Sequence, residues 1–498
     1  MRMQRRTFGV MVFVAAAMLM PAGAVSGAPA ALGLHMKPCT QGKTKLPALC
    51  GTFDVYENRA AQSGRIVAIK FVVVKAAHPT NRAMAIIAGG PGESATPYAA
   101  YVADGNFRQV TPLLDRYNIV LMDDRGMGGS NGLPCSLTPA SDPASYFRDL
   151  FPSDLVSACR TKFAAANDLA DYNTNYATDD LNDLRAALGY PKLVLDGGSY
   201  GTFFSLIYMR RHPQSVESAV LDGVDPPGFQ PLPGEPMGVQ RALDDLIAKC
   251  KRDTVCNAHF PTFGTQFSAL IARLNTGPIP VALVVKKGAA PVTVQLSKAV
   301  FVDRLRQTLY DPGAAAAVPF VIDHASHGDT APLATLINVV AVGLDEDITT
   351  GAWLSYTCAE GIPFLDPSAV SYAAAHSFAS DLRIEAQRAA CAIWNVPAMP
   401  ASFNEPVRSD APVLIISGSD DPATPPRYAA SAAKYLPNAR IVLVQGAGHA
   451  TETACVDKLF GQFVRAQSAK GLDVHGCSSA FTVPTFIIDT KGFENLTD

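Results

Sequence analysis

Ser199 sits in Gly197-Gly198-Ser199-Tyr200-Gly201, a G-x-S-x-G pattern between the apolar run Leu193-Val194-Leu195 and a helix-like stretch ending near His212-Pro213. A serine on so sharp a strand-to-helix turn holds its hydroxyl exposed at the C-terminal edge of a sheet. The flanking glycines are expected because a Cβ there would meet the neighbouring strand or helix. A serine hydroxyl is a weak nucleophile near neutral pH. It needs a base within hydrogen-bond reach, and the base needs an orienting carboxylate. On this kind of sheet the chain order is serine, acid, histidine, so the acid should follow a late strand and the histidine the last one. Both places are filled. Apolar run 412–416 leads into Ser417-Gly418-Ser419-Asp420-Asp421-Pro422, and run 440–444 leads into Gly446-Ala447-Gly448-His449. Of the nine histidines, His449 alone follows a buried strand after the acid, and it is the expected general base. Asp421, three residues past Gly418 and stiffened by Pro422, is favoured as the acid. Asp420 reads as a solvated turn residue. Asp222, just past run 219–221, is the other place for an acid and otherwise reads as a loop cap.

A tetrahedral intermediate needs N–H donors aimed at its oxyanion. One is expected from Tyr200, the residue after the serine. The second is expected from Gly90 in Ala88-Gly89-Gly90-Pro91-Gly92, which follows apolar run 83–87 and otherwise reads as a tight turn. The stretch Asp123–Ser130 reads as a buttress for that loop; a structural turn is the favoured reading, with a pairing of Arg125 to a carboxylate beneath the site as the alternative. His324 and His327 lack strong ligand spacing, and neither a metal nor a cofactor is called for. The acids Asp345, Glu346 and Asp347 read as solvated surface. Glu360, near Cys358, reads either as an ordinary exposed glutamate or as a buried acid able to hold a free amine.

The elements that must position these residues alternate between strand and helix. Segments 51–58 and 65–75 alternate in polarity and read as an antiparallel pair at a sheet edge. Runs 83–87, 119–122, 193–195 and 219–221 are continuously apolar, as strands buried on both faces are. A helix is expected between them, with Leu181, Leu184 and Leu188 on one face, Thr178 as N-cap and Gly189 as its stop. The expected fold is therefore α/β, a mostly parallel sheet covered by helices on both faces. Prolines 226, 227, 231 and 233 interrupt this pattern. From there to about residue 406 the chain is alanine-rich and mainly helical, with a small hairpin at 277–294. Strand runs resume at 412–416 and 440–444, followed by an amphipathic helix over 453–464 and an irregular tail from Ser468. The expected division is a signal peptide at 1–28, a first core part at 29–227, an inserted lid at 228–406, and a second core part with tail at 407–498.

Composition narrows the class. A net charge of −3 with no basic stretch argues against nucleic-acid binding. The N-terminus has a basic start, an apolar run from Phe8 to Met20 and small-residue cleavage sites, as export signals do. Arg5-Arg6-Thr7-Phe8 has twin-arginine character. The apolar run is too short to span a membrane, so no stable membrane insertion is expected. Ten cysteines in an exported chain point to disulfides, and pairing of neighbours is expected: 39–50, 135–159, 250–256, 358–391 and 455–477.

Taken together, Gly89-Gly-Pro-Gly92, Asp123-x-Arg-Gly-x-Gly-x-Ser130, Gly197-Gly-Ser-Tyr-Gly-Thr202, Asp421-Pro-Ala-Thr-Pro425 and Gly448-His449 resemble the α/β-hydrolase family of proline iminopeptidases and secreted tripeptidyl aminopeptidases. The resemblance covers about residues 50–226 and 410–477. Cys358-Ala-Glu360 and Cys391-Ala-Ile-Trp394 are similar to the Cys-x-acid and Cys-x-x-Trp elements of the tripeptidyl branch. The resemblance implies an α/β-hydrolase fold with a lid and the release of residues from the free N-termini of peptides. Ser199 would be acylated, and a water activated by His449 would free the product. By motif position it implies Glu360 as the anchor for the substrate amine. One departure is Ala88, where proline iminopeptidases carry histidine before Gly-Gly-Pro-Gly, and it weakens an inferred preference for N-terminal proline. Two readings compete with the peptidase: a serine esterase or lipase on small acyl or lipid esters, and a non-catalytic binding scaffold.

Overall fold

Among the described residues, nine strands form one sheet. They are β1 (Gly33–Gln41), β2 (Leu46–Tyr56), β3 (Ile66–Val74), β4 (Ala83–Ile87), β5 (Asn118–Met122), β6 (Leu193–Gly198), β7 (Val216–Asp222), and, after a hairpin of β8 (Ile279–Leu283) and β9 (Val292–Leu296), β10 (Val413–Gly418) and β11 (Ala439–Val444). The order across the sheet is β1-β2-β3-β5-β4-β6-β7-β10-β11. The first three strands pair antiparallel and join β5 antiparallel; from β5 to β11 every neighbour is parallel. This computed structural model describes residues 32–138, 142–228, 236–285 and 288–497. The expected signal segment and its paired arginines, with Pro231 and Pro233, lie outside the described residues.

The parallel strands read as unbroken apolar runs because both faces are covered. All five residues of β4 are buried. Ala83, Ala85 and Ile87 join one apolar cluster with Leu193, Leu195, Ala219 and Leu221, under helices Thr174–Ala187 and Tyr200–Arg211. The alternate residues Met84, Ile86, Val194 and Val220 join a second cluster on the opposite face, against helix Ala454–Ala466. This period-two division of one strand between two cores pins its register, since a slip of one residue would exchange the faces.

The segment between β7 and β10 is mainly helical and encloses a third apolar cluster. Its helix Thr350–Glu360 is buried from Gly351 to its end. It seats closely on the sheet half: Gly351 N donates to Leu133 O at 3.1 Å, and a Cβ on Gly351 would lie 2.4 Å from that oxygen. Tyr356 Oη donates to Arg125 O at 3.1 Å. Arg125 itself is fully buried and bidentate on Asp180, with Nε–Oδ2 at 2.7 Å and Nη2–Oδ1 at 2.8 Å. Arg125 is thus more than a turn residue: the alternative of a carboxylate partner holds, and that partner is on helix Thr174–Ala187.

Several sequence expectations need correction. Strand β1 was not foreseen: its side chains are mostly exposed and it contains Pro38, so it carries no buried pattern and forms as an edge through pairing with β2. The helix before Ser199 starts five residues earlier than expected. Asn173, not Thr178, is its N-cap, accepting from Tyr176 N at 3.0 Å, while Thr178 lies buried inside the helix with its hydroxyl on Asn175 O. The tail is not wholly irregular, since it contains helices His475–Ser478 and Thr490–Thr497. All five disulfides pair neighbours along the chain as expected.

Candidate active site

Ser199 occupies the turn between β6 and helix Tyr200–Arg211 with φ 54° and ψ −124°, a conformation that costs energy for any residue with a Cβ. Its surroundings hold it there. Ser199 N donates to Asp222 O at 2.9 Å, and Thr202 Oγ1 donates to Ser199 O at 2.6 Å. Two of the flanking glycines are required by contact. A Cβ on Gly197 would sit 2.3 Å from Gly201 O, and one on Gly201 would sit 2.4 Å from Ile87 O. Gly198 is different: nothing lies within 4 Å of a Cβ built there.

The acid and the histidine come from the loops after β10 and β11. His449 Nδ1 is 2.8 Å from Asp421 Oδ2. Asp421 is fully buried. Its Oδ1 accepts from Ala423 N at 2.8 Å and Thr424 N at 3.0 Å, and its Oδ2 accepts from Thr424 Oγ1 at 2.5 Å. Burial alone would raise the Asp421 pKa, but His449 and the Thr424 bonds outweigh it and hold the group below the usual carboxylate value. Burial would lower the pKa of His449, but Asp421 beside it more than offsets this and leaves it above the ordinary 6.5. The other two acids go elsewhere. Asp420 pairs with Lys249. Asp222 accepts from Thr451 Oγ1 at 2.6 Å and supports the Ser199 turn through its backbone.

The helical segment also reaches the histidine loop. His449 N donates to Tyr310 O at 2.7 Å, and the two rings lie 4.8 Å apart. A Cβ on Gly448 would lie 2.1 Å from Tyr310 O, so glycine there permits the approach. Sequence reading missed Tyr310, for which no local signal exists.

Gly90 lies in the loop after β4 with φ +104°, where a side chain would be strained and its Cβ would crowd Gly92 N at 2.7 Å. Gly89 N donates to Glu93 Oε2 at 2.8 Å, so that amide is already engaged. Burial raises the Glu93 pKa. Glu93 was overlooked in the sequence, although it directly follows the Gly-Gly-Pro-Gly run.

Consecutive residues of this region line two different cavities. Gly89, Ser199 and His449 face one of about 280 Å³, which Glu93 also lines. Pro91 and Tyr200 face a second, of about 30 Å³, shared with Phe203, Tyr356, Asp225 and Glu360. The Gly89–Pro91 loop and the Ser199–Tyr200 pair therefore form a ridge between them. Glu360 is buried, not an ordinary exposed glutamate. Its Oε1 accepts from Thr174 N at 2.5 Å and its Oε2 from Thr174 Oγ1 at 2.7 Å. Thr174 Oγ1 in turn lies 2.7 Å from Tyr200 Oη. Burial raises the Glu360 pKa to about 8 against the pull of the Thr174 bonds. The Cys358–Cys391 disulfide and the bond from Trp394 Nε1 to Ser355 Oγ at 2.9 Å tie the helix bearing Glu360 to helix Leu382–Trp394.

The parallel sheet, the strained serine turn and the histidine–carboxylate pair at its C-terminal edge define an α/β-hydrolase fold with the residues of a serine hydrolase in place. The family profile described as alpha/beta hydrolase fold matches residues 83–258, and the one described as TAP-like protein matches residues 376–475. By the second match, the chain follows the pattern of TAP-like proteins in its C-terminal part. It is similar to the serine protease Hip1 of Mycobacterium tuberculosis, 29% identical over 239 residues. That match spans 44% of this chain and 45% of Hip1, so less than half of the relative's length is covered. It is also similar to carboxylesterase B of Mycobacterium tuberculosis, 25% identical over 82% of each chain. A proline iminopeptidase of Neisseria gonorrhoeae is 29% identical over 136 residues, 27% of this chain and 30% of that one.

Proposed function

We propose that the protein is an exported serine exopeptidase that releases amino acids or short peptides from the free N-termini of peptides. Ser199 Oγ attacks the scissile carbonyl while His449 Nε2 takes its proton. Asp421 at Nδ1 holds the ring in the required tautomer and stabilises the imidazolium. The N–H groups of Tyr200 and Gly90 receive the oxyanion. His449 then protonates the leaving amine, and the N-terminal fragment stays on Ser199 as an ester. A water deprotonated by His449 attacks that ester and frees the fragment. The ammonium of the N-terminal fragment reaches into the small cavity beside Tyr200, where the buried acid Glu360 stands, and the leaving peptide lies on the His449 side. Export is supported by the basic-then-apolar N-terminal sequence and by five disulfides.

The observation that carries the peptidase reading is the buried Glu360 carboxylate in a cavity lined by the residue next to Ser199. The bonds from Thr174 offset only part of what burial costs this acid, whose pKa stays raised to about 8, and an acyl ester of low polarity has no use for one. The second reading, an esterase on small acyl esters, is favoured by the similarity to carboxylesterase B over most of the chain. Three chromogenic substrates separate the readings: a free-amine aminoacyl or tripeptidyl anilide, the same anilide N-acetylated, and a short-chain nitrophenyl ester, with Ser199→Ala as blank. Turnover of the free-amine anilide that is lost on acetylation supports the exopeptidase. Ester hydrolysis with neither anilide cleaved refutes it and leaves the esterase.

A further inference from the structure

Glu360 is not the only acid in the cavity beside Tyr200, and it is the better satisfied of the two. Both of its oxygens already accept from Thr174. Asp225, three residues past the end of β7, lines the same cavity, is 8% exposed, and has its buried Oδ1 without a hydrogen-bond partner among the described residues. A buried carboxylate oxygen left unpaired is costly, and such groups in native proteins call for an explanation.

The backbone shows that this acid is held in place. Asp225 N donates to Thr202 Oγ1 at 2.8 Å, and Thr202 Oγ1 donates to Ser199 O at 2.6 Å. Asp225 is thus two hydrogen bonds from the carbonyl of Ser199, and Pro226 and Pro227 stiffen the chain directly after it. The cavity has room for one or two water-sized groups, which is the size of an ammonium head. Tyr200, Phe203 and Tyr356 line it, and aromatic rings attract desolvated cations that lie over their faces. Burial raises the Asp225 pKa to about 8, against the opposing influence of His449. A cation entering the cavity would draw off that proton and pair with the carboxylate.

We propose that Asp225 is the residue that receives the α-ammonium of the substrate, with Glu360 behind it as a carboxylate already fixed by Thr174. This rests on the exopeptidase reading and assigns its specificity to a loop of the sheet half as well as to the helical segment. An acid on that loop moves with Ser199 rather than with the helical segment. The substrate's N-terminus is therefore registered against the same turn that carries the nucleophile.

The test is Asp225→Asn, which keeps shape and removes charge. The free-amine and N-acetylated anilides are compared by kcat and KM, and labelling of Ser199 by a fluorophosphonate reports that the site is assembled. The expected result is a KM for the free-amine anilide raised about 10- to 100-fold, the range for a lost hydrogen bond to a charged group, with kcat changed far less. Asp225→Glu, which restores the charge, should recover part of the preference. If Asp225→Asn does not fold, Asp225→Ala is read in the same way. A parent enzyme that prefers the free amine and a variant that keeps that preference with KM within twofold would overturn the assignment and leave the exopeptidase reading standing. A parent indifferent to acetylation would overturn that reading, and Asp225's role with it.

Discussion

Replacing Asp421 by Asn tests the triad through the wiring around one carboxylate. Oδ1 of Asp421 accepts two backbone N–H groups, from Ala423 and Thr424, while Oδ2 faces His449 Nδ1 and Thr424 Oγ1. An asparagine must keep its single oxygen where the two fixed amides point, because an NH2 there would oppose two donors. Its NH2 is then forced onto His449 Nδ1. The ring must accept at Nδ1 and carry its proton on Nε2, where it can no longer take one from Ser199. The cavity geometry is unchanged, since the two side chains have nearly the same shape. The expected loss is about 10⁴-fold in kcat with KM little changed, or roughly 5.5 kcal/mol of transition-state stabilisation. Steady-state kinetics on the free-amine anilide, or on the nitrophenyl ester if that is the better substrate, provide the measurement. Asp420→Asn is the control: its carboxylate pairs with Lys249 instead, and kcat should stay within about twofold, as for a surface pair. A fall of less than tenfold for Asp421→Asn, or an equal fall for Asp420→Asn, would refute the assignment of the acid.

His449 must be neutral to act as a base, and its pKa lies above 6.5. The acid limb of kcat/KM should therefore rise with pH through a midpoint above 6.5, and a midpoint at or below that value would contradict the Asp421 pairing. Gly197→Ala should cost about 1–3 kcal/mol or prevent folding, because the new methyl meets the Gly201 carbonyl. Gly198→Ala should stay within about 0.5 kcal/mol in denaturant titrations, and equal costs at the two sites would refute the packing argument. Serine replacement of Cys358 and Cys391, 33 residues apart, should cost about 4 kcal/mol, against about 2 for Cys250 and Cys256, 6 apart. The reverse ranking in thermal melts would show that native contacts, not loop closure, dominate.

What could be read from the chain was whatever is local. Strand β4 was legible because burial on both faces leaves an unbroken apolar run, and the loops holding Ser199, Asp421 and His449 each follow such a run directly. Pro422 and the turn glycine distinguish Asp421 from Asp420 in the sequence, and it is the Asp421 carboxylate that lies beside His449. Strand β1 was not legible, because an exposed edge needs no apolar alternation. Nor were the contacts of Tyr310 with the His449 loop or of Thr174 with Glu360. Each joins elements far apart in sequence, and nothing in the residue types of one end names the other. Asp225 had a weaker signal. It sits just beyond the C-terminal end of a parallel strand, where binding groups gather, but only its unpaired oxygen distinguishes it from a loop cap.

The five disulfides neither nest nor interlock. Each closes before the first cysteine of the next pair is reached along the chain. The order of the bonds in sequence is therefore also the order in which a chain emerging N-terminus first can close them, each new cysteine pairing with the one open thiol ahead of it. A producing host has to supply an oxidant for this protein, and closure in chain order reaches the five native bonds without reshuffling.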